Sequence, residues 1–166
     1  MQSGAEIGHF RDEHKVSLIH LWNKVFGRDD PFYALDLQKL EEILKSPYFD
    51  YEGAFVTCIS SEVVGFAFGV IGKDRPKEMP GYLSMICVDP AHRRKGIGTH
   101  LLNGLWTYMK DRGKSEVEIG PKNPIGFGHG VIDGSPAFGF FATHGFESIP
   151  FYPGFESDRI VSCSAI

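Results

Sequence analysis

The chain has 166 residues, the size of one domain, and 42% of them are hydrophobic, enough to build a core. Its formal net charge of −4 argues against a nucleic-acid binder. Three cysteines (Cys58, Cys87, Cys163) are too few for a disulfide framework, and none has the CxxC spacing of a zinc site, so no metal is expected. No run approaches the roughly 20 apolar residues that span a bilayer, and residues 1–15 lack the apolar core of a secretory signal. The expectation is a cytoplasmic protein in a reducing setting, with no membrane partner.

In chain order, "RDEHKVSLIHLWNKVFG" places Val16, Ile19, Trp22 and Val25 three residues apart, an amphipathic helix stopped by Gly27. "ALDLQKLEEILKSP" repeats the pattern with Leu37, Leu40, Ile43 and Leu44, ending before Pro47. "GAFVTCIS" and "EVVGFAFGVIG" are β-branched and aromatic runs joined at Ser60-Ser61, a hairpin. "YLSMICVD" is apolar at nearly every position, which suits a central strand buried on both faces, and Pro90 marks its end. A helix follows with Ile97, Leu101, Leu102, Leu105, Trp106 and Met109 on its apolar face. "SEVEIG" reads as a strand with Val117 and Ile119 on one face, and Glu116 and Glu118 on the other, solvent-facing side. "GPKNPIGFGHGVIDGS" is a long Gly- and Pro-rich loop. "SPAFGFFATHG" is a short helix with Ser135 as N-cap, Pro136 in its first turn and Gly145 at its end, and "RIVSCSA" is a last strand. No linker or composition break appears, so residues 1–166 form a single α/β domain in this reading.

The chemistry concentrates between the third strand and its helix. "VDPAHRRKGIGT" sets Arg93, Arg94 and Lys95 beside Gly96 and Gly98 at a strand-to-helix turn. The first N–H groups of a helix lack internal partners, the helix dipole adds partial positive charge there, and glycines let a ligand approach. A phosphate group, or two adjacent ones, suits such a turn. The P-loop pattern GxxxxGK[ST] is absent, and Gly96-Ile97-Gly98 is followed by Leu101, which breaks GxGxxG. What remains is R-x-x-G-x-G.

The segments "ICVDPAHRRKGIGTHLL" (86–102) and "AFGFFATHGFE" (137–147), with the order of elements around them, resemble the GNAT superfamily of acyl-coenzyme A-dependent N-acetyltransferases. The resemblance implies a mixed α/β (α+β) fold: a mostly antiparallel central sheet with splayed central strands, flanked by helices. It implies acetyl-coenzyme A as donor substrate. Backbone groups of Ile86, Cys87 and Val88 would line the pantetheine arm. Arg93, Arg94, Lys95, Gly96, Ile97, Gly98 and Thr99 would hold the pyrophosphate, and Phe138 and Phe141 would flank the arm. The implied reaction is direct attack of a primary amine, on a small molecule or a peptide, upon the thioester.

The sequence departs from the family where a base and an acid are usual. The central strand offers Ser84 and Met85 instead of a carboxylate, and Phe141 stands where a tyrosine acid is common. His129, in the long loop with Asp133, is one substitute base; Glu118 is the second, and Tyr82 and Ser84 are candidates to anchor a water wire. His100 and His144 read as helix-surface residues without chemistry. Cys87 reads as packed, not nucleophilic. The acidic and aromatic stretches "GRDDPFYALD" and "SPYFDYEG" favour a cationic acceptor. The alternative reading is a non-catalytic acyl-coenzyme A-binding module that kept the cradle and lost the acid–base groups. The aromatic share of 13% leaves room for a homodimer interface.

Overall fold

The computed structural model describes residues 4–27, 34–72, 79–119, 125, 131–132, 135–149 and 160–165. The order is β1 (Ala5–His9), a 3-10 turn (Asp12–His14) running into α1 (Lys15–Val25), α2 (Leu37–Leu44), a 3-10 turn (Tyr51–Gly53), β2 (Ala54–Ile59), β3 (Glu62–Val70) and β4 (Gly81–Val88). A 3-10 turn (Pro90–His92), α3 (Ile97–Asp111), β5 (Val117–Ile119), β6 (Val131–Ile132), α4 (Pro136–Thr143), β7 (Glu147–Ile149) and β8 (Ile160–Ala165) follow. The periodic segments form the helices and strands expected of them. Ser60 and Ser61 both take left-handed backbone (φ 49° and 68°), the conformation a tight two-residue hairpin needs. Ser135 caps α4 by accepting the Phe138 N–H at 3.2 Å.

Three strands lie outside the sequence expectation. β1 is mostly exposed and carries no alternating pattern; it forms by pairing antiparallel with β2 from Ala5↔Ile59 to His9↔Phe55. β6 is two residues inside the segment read as loop, and β7 follows Gly145. Both are held by β8.

β1, β2, β3 and β4 pair antiparallel in that order, β4 pairs parallel with β5, and β8 pairs antiparallel with β5, β7 and β6. One face carries α3: Ile97, Leu101, Leu102, Leu105 and Met109 pack on Val64, Ala67, Leu83, Val117 and Ile119, joined by Phe141 and Phe146. The other face carries α1 and α2: Leu18, Leu21, Trp22 and Leu40 pack on Val56, Val63, Phe66, Phe68, Tyr82 and Cys87. α3 lies close because the sheet is bare beneath it. A Cβ on Gly69 would stand 2.5 Å from both Leu105 Cδ1 and Met109 Cε, and one on Gly65 2.8 Å from Ile97 Cγ2.

A bulge divides β4. Val70↔Tyr82 and Gly69↔Leu83 are followed by Phe68↔Met85, so Ser84 is the extra residue at which the register shifts. The extra residue resets the alternation. Tyr82 packs in the α1 layer and Leu83 in the α3 layer; beyond Ser84, Met85 and Cys87 belong to the α1 layer while Ile86 and Val88 belong to the α3 layer. β4 meets β5 only at Gly81↔Val117 and Tyr82↔Glu118, with the Gly81 N–H donating to the Glu116 carbonyl at 3.0 Å. β4 then runs on to Val88 and β5 ends at Ile119, so the two central strands part after Tyr82.

Gly69→Val should destabilise the fold by about 1–3 kcal/mol through overpacking under α3. Gly139→Ala, at an open position of α4 where an added Cβ meets nothing within 4 Å, should stabilise it by about 0.5–1 kcal/mol. Urea unfolding midpoints of the two variants check both signs.

Candidate active site

Beyond Tyr82, none of the described strands pairs with β4 on the side away from β3. The Asp89 N–H donates to the Val64 carbonyl at 2.8 Å and therefore faces β3. Successive residues of a strand alternate edges, so Cys87 also faces β3, while Ile86 and Val88 face the open side. The Cys87 side chain is buried, and burial pushes its thiol up to about 12 against the opposing influence of a Phe66 backbone hydrogen bond and the Arg93 charge. It stays protonated and packed, and offers a site only its backbone.

The chain then turns under tight control. Asp89 Oδ1 accepts the Ala91 N–H at 2.9 Å, and Oδ2 accepts Lys24 Nζ at 2.7 Å, clasping the turn to α1. Partial burial acts to raise the Asp89 carboxyl, but these donors prevail and hold it below its usual range. Arg93 Nε donates to the Val88 carbonyl at 3.1 Å, and Lys95 Nζ donates to the Ala91 carbonyl at 3.1 Å. Arg94 and Gly96 both take left-handed backbone (φ 63° and 82°), a bend that gathers consecutive N–H groups into a concavity for anions. Gly96 is the N-cap of α3, and no side chain caps that helix. The N–H groups of Ile97, Gly98 and Thr99 thus begin the helix without intrahelical acceptors. Ile97 is anchored, 2% exposed. These features fit a pyrophosphate: backbone donors, a helix dipole and three cations in one turn.

α4 closes one side. Phe138 is half-buried against the α3 layer. Phe141 is 4% exposed, edge-on to Phe146 at 5.3 Å and to Phe140 at 5.3 Å; it is a core ring with no proton to give. Phe140, which sequence reasoning passed over, is the ring nearest Gly98: a Cβ there would stand 3.2 Å from Phe140 Cε2. The signal was the glycine itself, whose missing side chain makes room for a neighbour. His144 bonds Thr99, its Nε2 lying 3.1 Å from Thr99 Oγ1.

The candidate acid–base groups divide. Ser84 is the bulge residue, and it is buried. Glu118 sits opposite Tyr82 at the last paired position before the strands part. It is 7% exposed, which corrects the expectation of a solvent-facing carboxylate. Glu118 shares its face of the sheet with Tyr82, its partner across the ladder, opposite Val117 and Ile119. His129 and Asp133 lie outside the described residues. So do Asp29, Asp30, Phe32 and Tyr33 of the acidic–aromatic stretch. Its described members are committed to structure. Asp36 caps α2 by accepting the Lys39 N–H at 2.8 Å. Asp50 accepts from Tyr108 Oη at 3.0 Å and pairs with Arg112 Nη2 at 3.5 Å. Tyr51 Oη donates to Asp12 at 3.1 Å. A cavity of about 380 Å³ lies elsewhere, between α1, the hairpin and the start of the turn, and touches no residue of α3, α4 or β5.

A family model described as the acetyltransferase (GNAT) family matches residues 16–146. No curated protein sequence matches the chain. Among solved structures, the ribosomal-protein-S18-alanine N-acetyltransferase of Escherichia coli superposes with a TM-score of 0.67 at 16% identity, covering 97% of this chain and 92% of that one. Arabidopsis thaliana Naa50, in complex with the bisubstrate analogue CoA-Ac-MVNAL, gives 0.68 at 18% identity over 98% and 99%. An acetyltransferase of the GNAT family from Staphylococcus aureus Mu50 gives 0.69 at 18% identity over 97% and 98%. The mixed sheet with parted central strands is the fold these proteins share, and with a family model matched over residues 16–146 the chain belongs to the GNAT acetyltransferase family and is an acyltransferase.

Proposed function

We propose that the protein is an N-acetyltransferase that takes acetyl groups from acetyl-coenzyme A and passes them by direct attack to a primary amine on a small molecule or a peptide. The observation that carries the reading is that β4 and β5 part after Tyr82, and that β4 then runs through the basic turn to the N-terminus of α3, whose N-cap is the side-chain-free Gly96. Ile86 and Val88 would pair with the pantetheine arm. The amides from Arg94 to Thr99 would hold the pyrophosphate. Phe138 and Phe140 would flank the arm from α4. Acetyl-coenzyme A supplies the thioester. Support for a peptide acceptor comes from Naa50, whose complex holds a peptide joined to coenzyme A; the small-molecule class rests on the amine chemistry alone.

Glu118 is the base in this proposal. It stands opposite Tyr82 at the last paired position before the strands part, next to the stretch of β4 where the thioester would lie. An alkylammonium must lose a proton before it can attack, and a carboxylate held there can accept it. A backbone N–H on the open edge would polarise the carbonyl. Phe141 gives no acid, but a thiol of pKa about 8.5 leaves adequately as thiolate. His129 is the second candidate base.

Titration with acetyl-coenzyme A, with ADP as control, followed by thiol release against a panel of amines and peptides, tests the reading. Preferred binding of the acetyl donor with release from an amine supports it; binding with no release from any acceptor overturns it. Gly96→Asp should weaken coenzyme A by about tenfold or more, because it puts a charge a few ångströms from the phosphates. Asp tolerates left-handed backbone better than most residues, so the fold should survive; unchanged affinity by calorimetry would remove the cradle. Glu118→Gln should lower kcat by about 10²–10⁴-fold with coenzyme A affinity kept. If His129→Ala loses turnover on that scale and Glu118→Gln does not, the role belongs to the loop histidine.

A further inference from the structure

His144 was expected to be a helix-surface residue, yet both of its ring nitrogens are engaged. Nδ1 lies 2.7 Å from the Phe140 carbonyl. A carbonyl only accepts, so Nδ1 carries the proton. The other nitrogen of a neutral ring is then an acceptor, and Nε2 takes the Thr99 hydroxyl proton at 3.1 Å. Thr143 Oγ1 also donates to the Phe140 carbonyl at 2.7 Å, so that carbonyl anchors both side chains. Phe140 packs against the imidazole with ring centroids 4.5 Å apart and the planes tilted by 44°. The ring is thus fixed in place and in tautomer by its own helix, and it reaches across to the third residue of α3.

That arrangement turns Thr99 the wrong way for an anion. Its hydroxyl proton points at His144, and only oxygen lone pairs remain for a phosphate. One proton from solvent reverses the bond. With Nε2 protonated, the ring donates to Thr99 Oγ1, and the Thr99 hydroxyl is released to donate to phosphate. The imidazolium charge then also stands one hydrogen bond behind the cradle.

We propose that His144 is a proton-linked positioning residue of the phosphate cradle: pyrophosphate binding draws one proton from solvent onto His144 and flips the Thr99 hydroxyl toward the anion. The inference rests on the coenzyme A reading given above. The charged groups on neighbouring elements do not compete for the ring. His100 Nδ1 is held at the Gly96 carbonyl at 2.7 Å, Arg93 at the Val88 carbonyl and Lys95 at the Ala91 carbonyl. Arg94 on the turn and Glu147 on β7 are exposed. Among the described residues no carboxylate bonds the ring, so the proton responds chiefly to what occupies the cradle.

The sign follows from linkage. A group that gains affinity for its proton on binding makes binding tighter at low pH, and the advantage is lost as pH rises through its bound-state value. Calorimetric titration of the wild type with coenzyme A, between pH 6 and pH 8.5 in buffers of different ionisation heat, should show proton uptake. Affinity should fall more steeply with rising pH than it does for His144→Gln. His144→Gln keeps a hydrogen-bonding side chain that cannot titrate, and Thr99→Val removes the same bond from the α3 side. His144→Gln should bind coenzyme A with the extra uptake gone; Thr99→Val, which also takes a hydroxyl from the cradle, should bind it more weakly and lose the same uptake. If wild type and His144→Gln bind with equal proton uptake and parallel pH dependence, His144 is only a structural tie and the proposal fails with the cradle intact. If the wild type does not bind coenzyme A at any pH, the cradle reading fails and takes this inference with it.

Discussion

The site exists because β4 and β5 stop pairing after Tyr82. Strands in register lie about 4.8 Å apart and leave no room for a third chain between them. Once they part, the edge of β4 away from β3 has no described strand beside it, and a buried unsatisfied group costs about 1–3 kcal/mol. Such an edge must face water or an extended ligand that supplies the missing bonds. The bulge at Ser84 helps to create it, since an extra residue bends its strand and increases the local twist. The fixed end of the opening is α3. Gly65, Gly69 and Gly81 let that helix settle on the sheet, so its N-terminus is held to the end of the open edge by core packing.

The basic residues of the turn do more than attract anions. Arg93 and Lys95 spend hydrogen bonds on carbonyls of the same turn, and Asp89 ties its beginning to Lys24 on α1. Their side chains shape the loop so that its amides converge. Donors fixed in this way need little reorganisation when a ligand arrives, which is the condition for strong electrostatic binding. Long-range attraction comes from the same charges, but it is the screened part of the interaction.

Much of this was legible in the residues. α1, α2 and α3 carry strong apolar periods, the hairpin has β-branched runs, and R-x-x-G-x-G at a strand-to-helix turn points to phosphate by physical necessity. β1 was not legible, because an exposed edge strand needs no hydrophobic alternation and forms only when β2 offers its edge. The burial of Glu118 was missed because alternation tells which residues share a face, not whether another layer covers it. Phe140 was passed over, and His144 was read as a helix-surface residue, for a related reason. Their contacts depend on how α4 docks against the start of α3, and that docking is decided by tertiary packing.

The bulge at Ser84 also sets a rule for how the gene can change. On either side of it, residues are assigned to opposite layers of the core: Tyr82 and Cys87 share one layer although their spacing in a regular strand would separate them. Deleting Ser84 would leave Leu83 next to Met85, restore a plain ladder and keep every remaining side chain in its present layer, because those two residues already lie on opposite sides. What would go is the local bend. Surface loops of this fold can lengthen or shorten with little penalty. This strand can lose one residue at the bulge without disturbing the core on either face, so the fold would outlive a deletion that takes the bend from the place where the sheet opens.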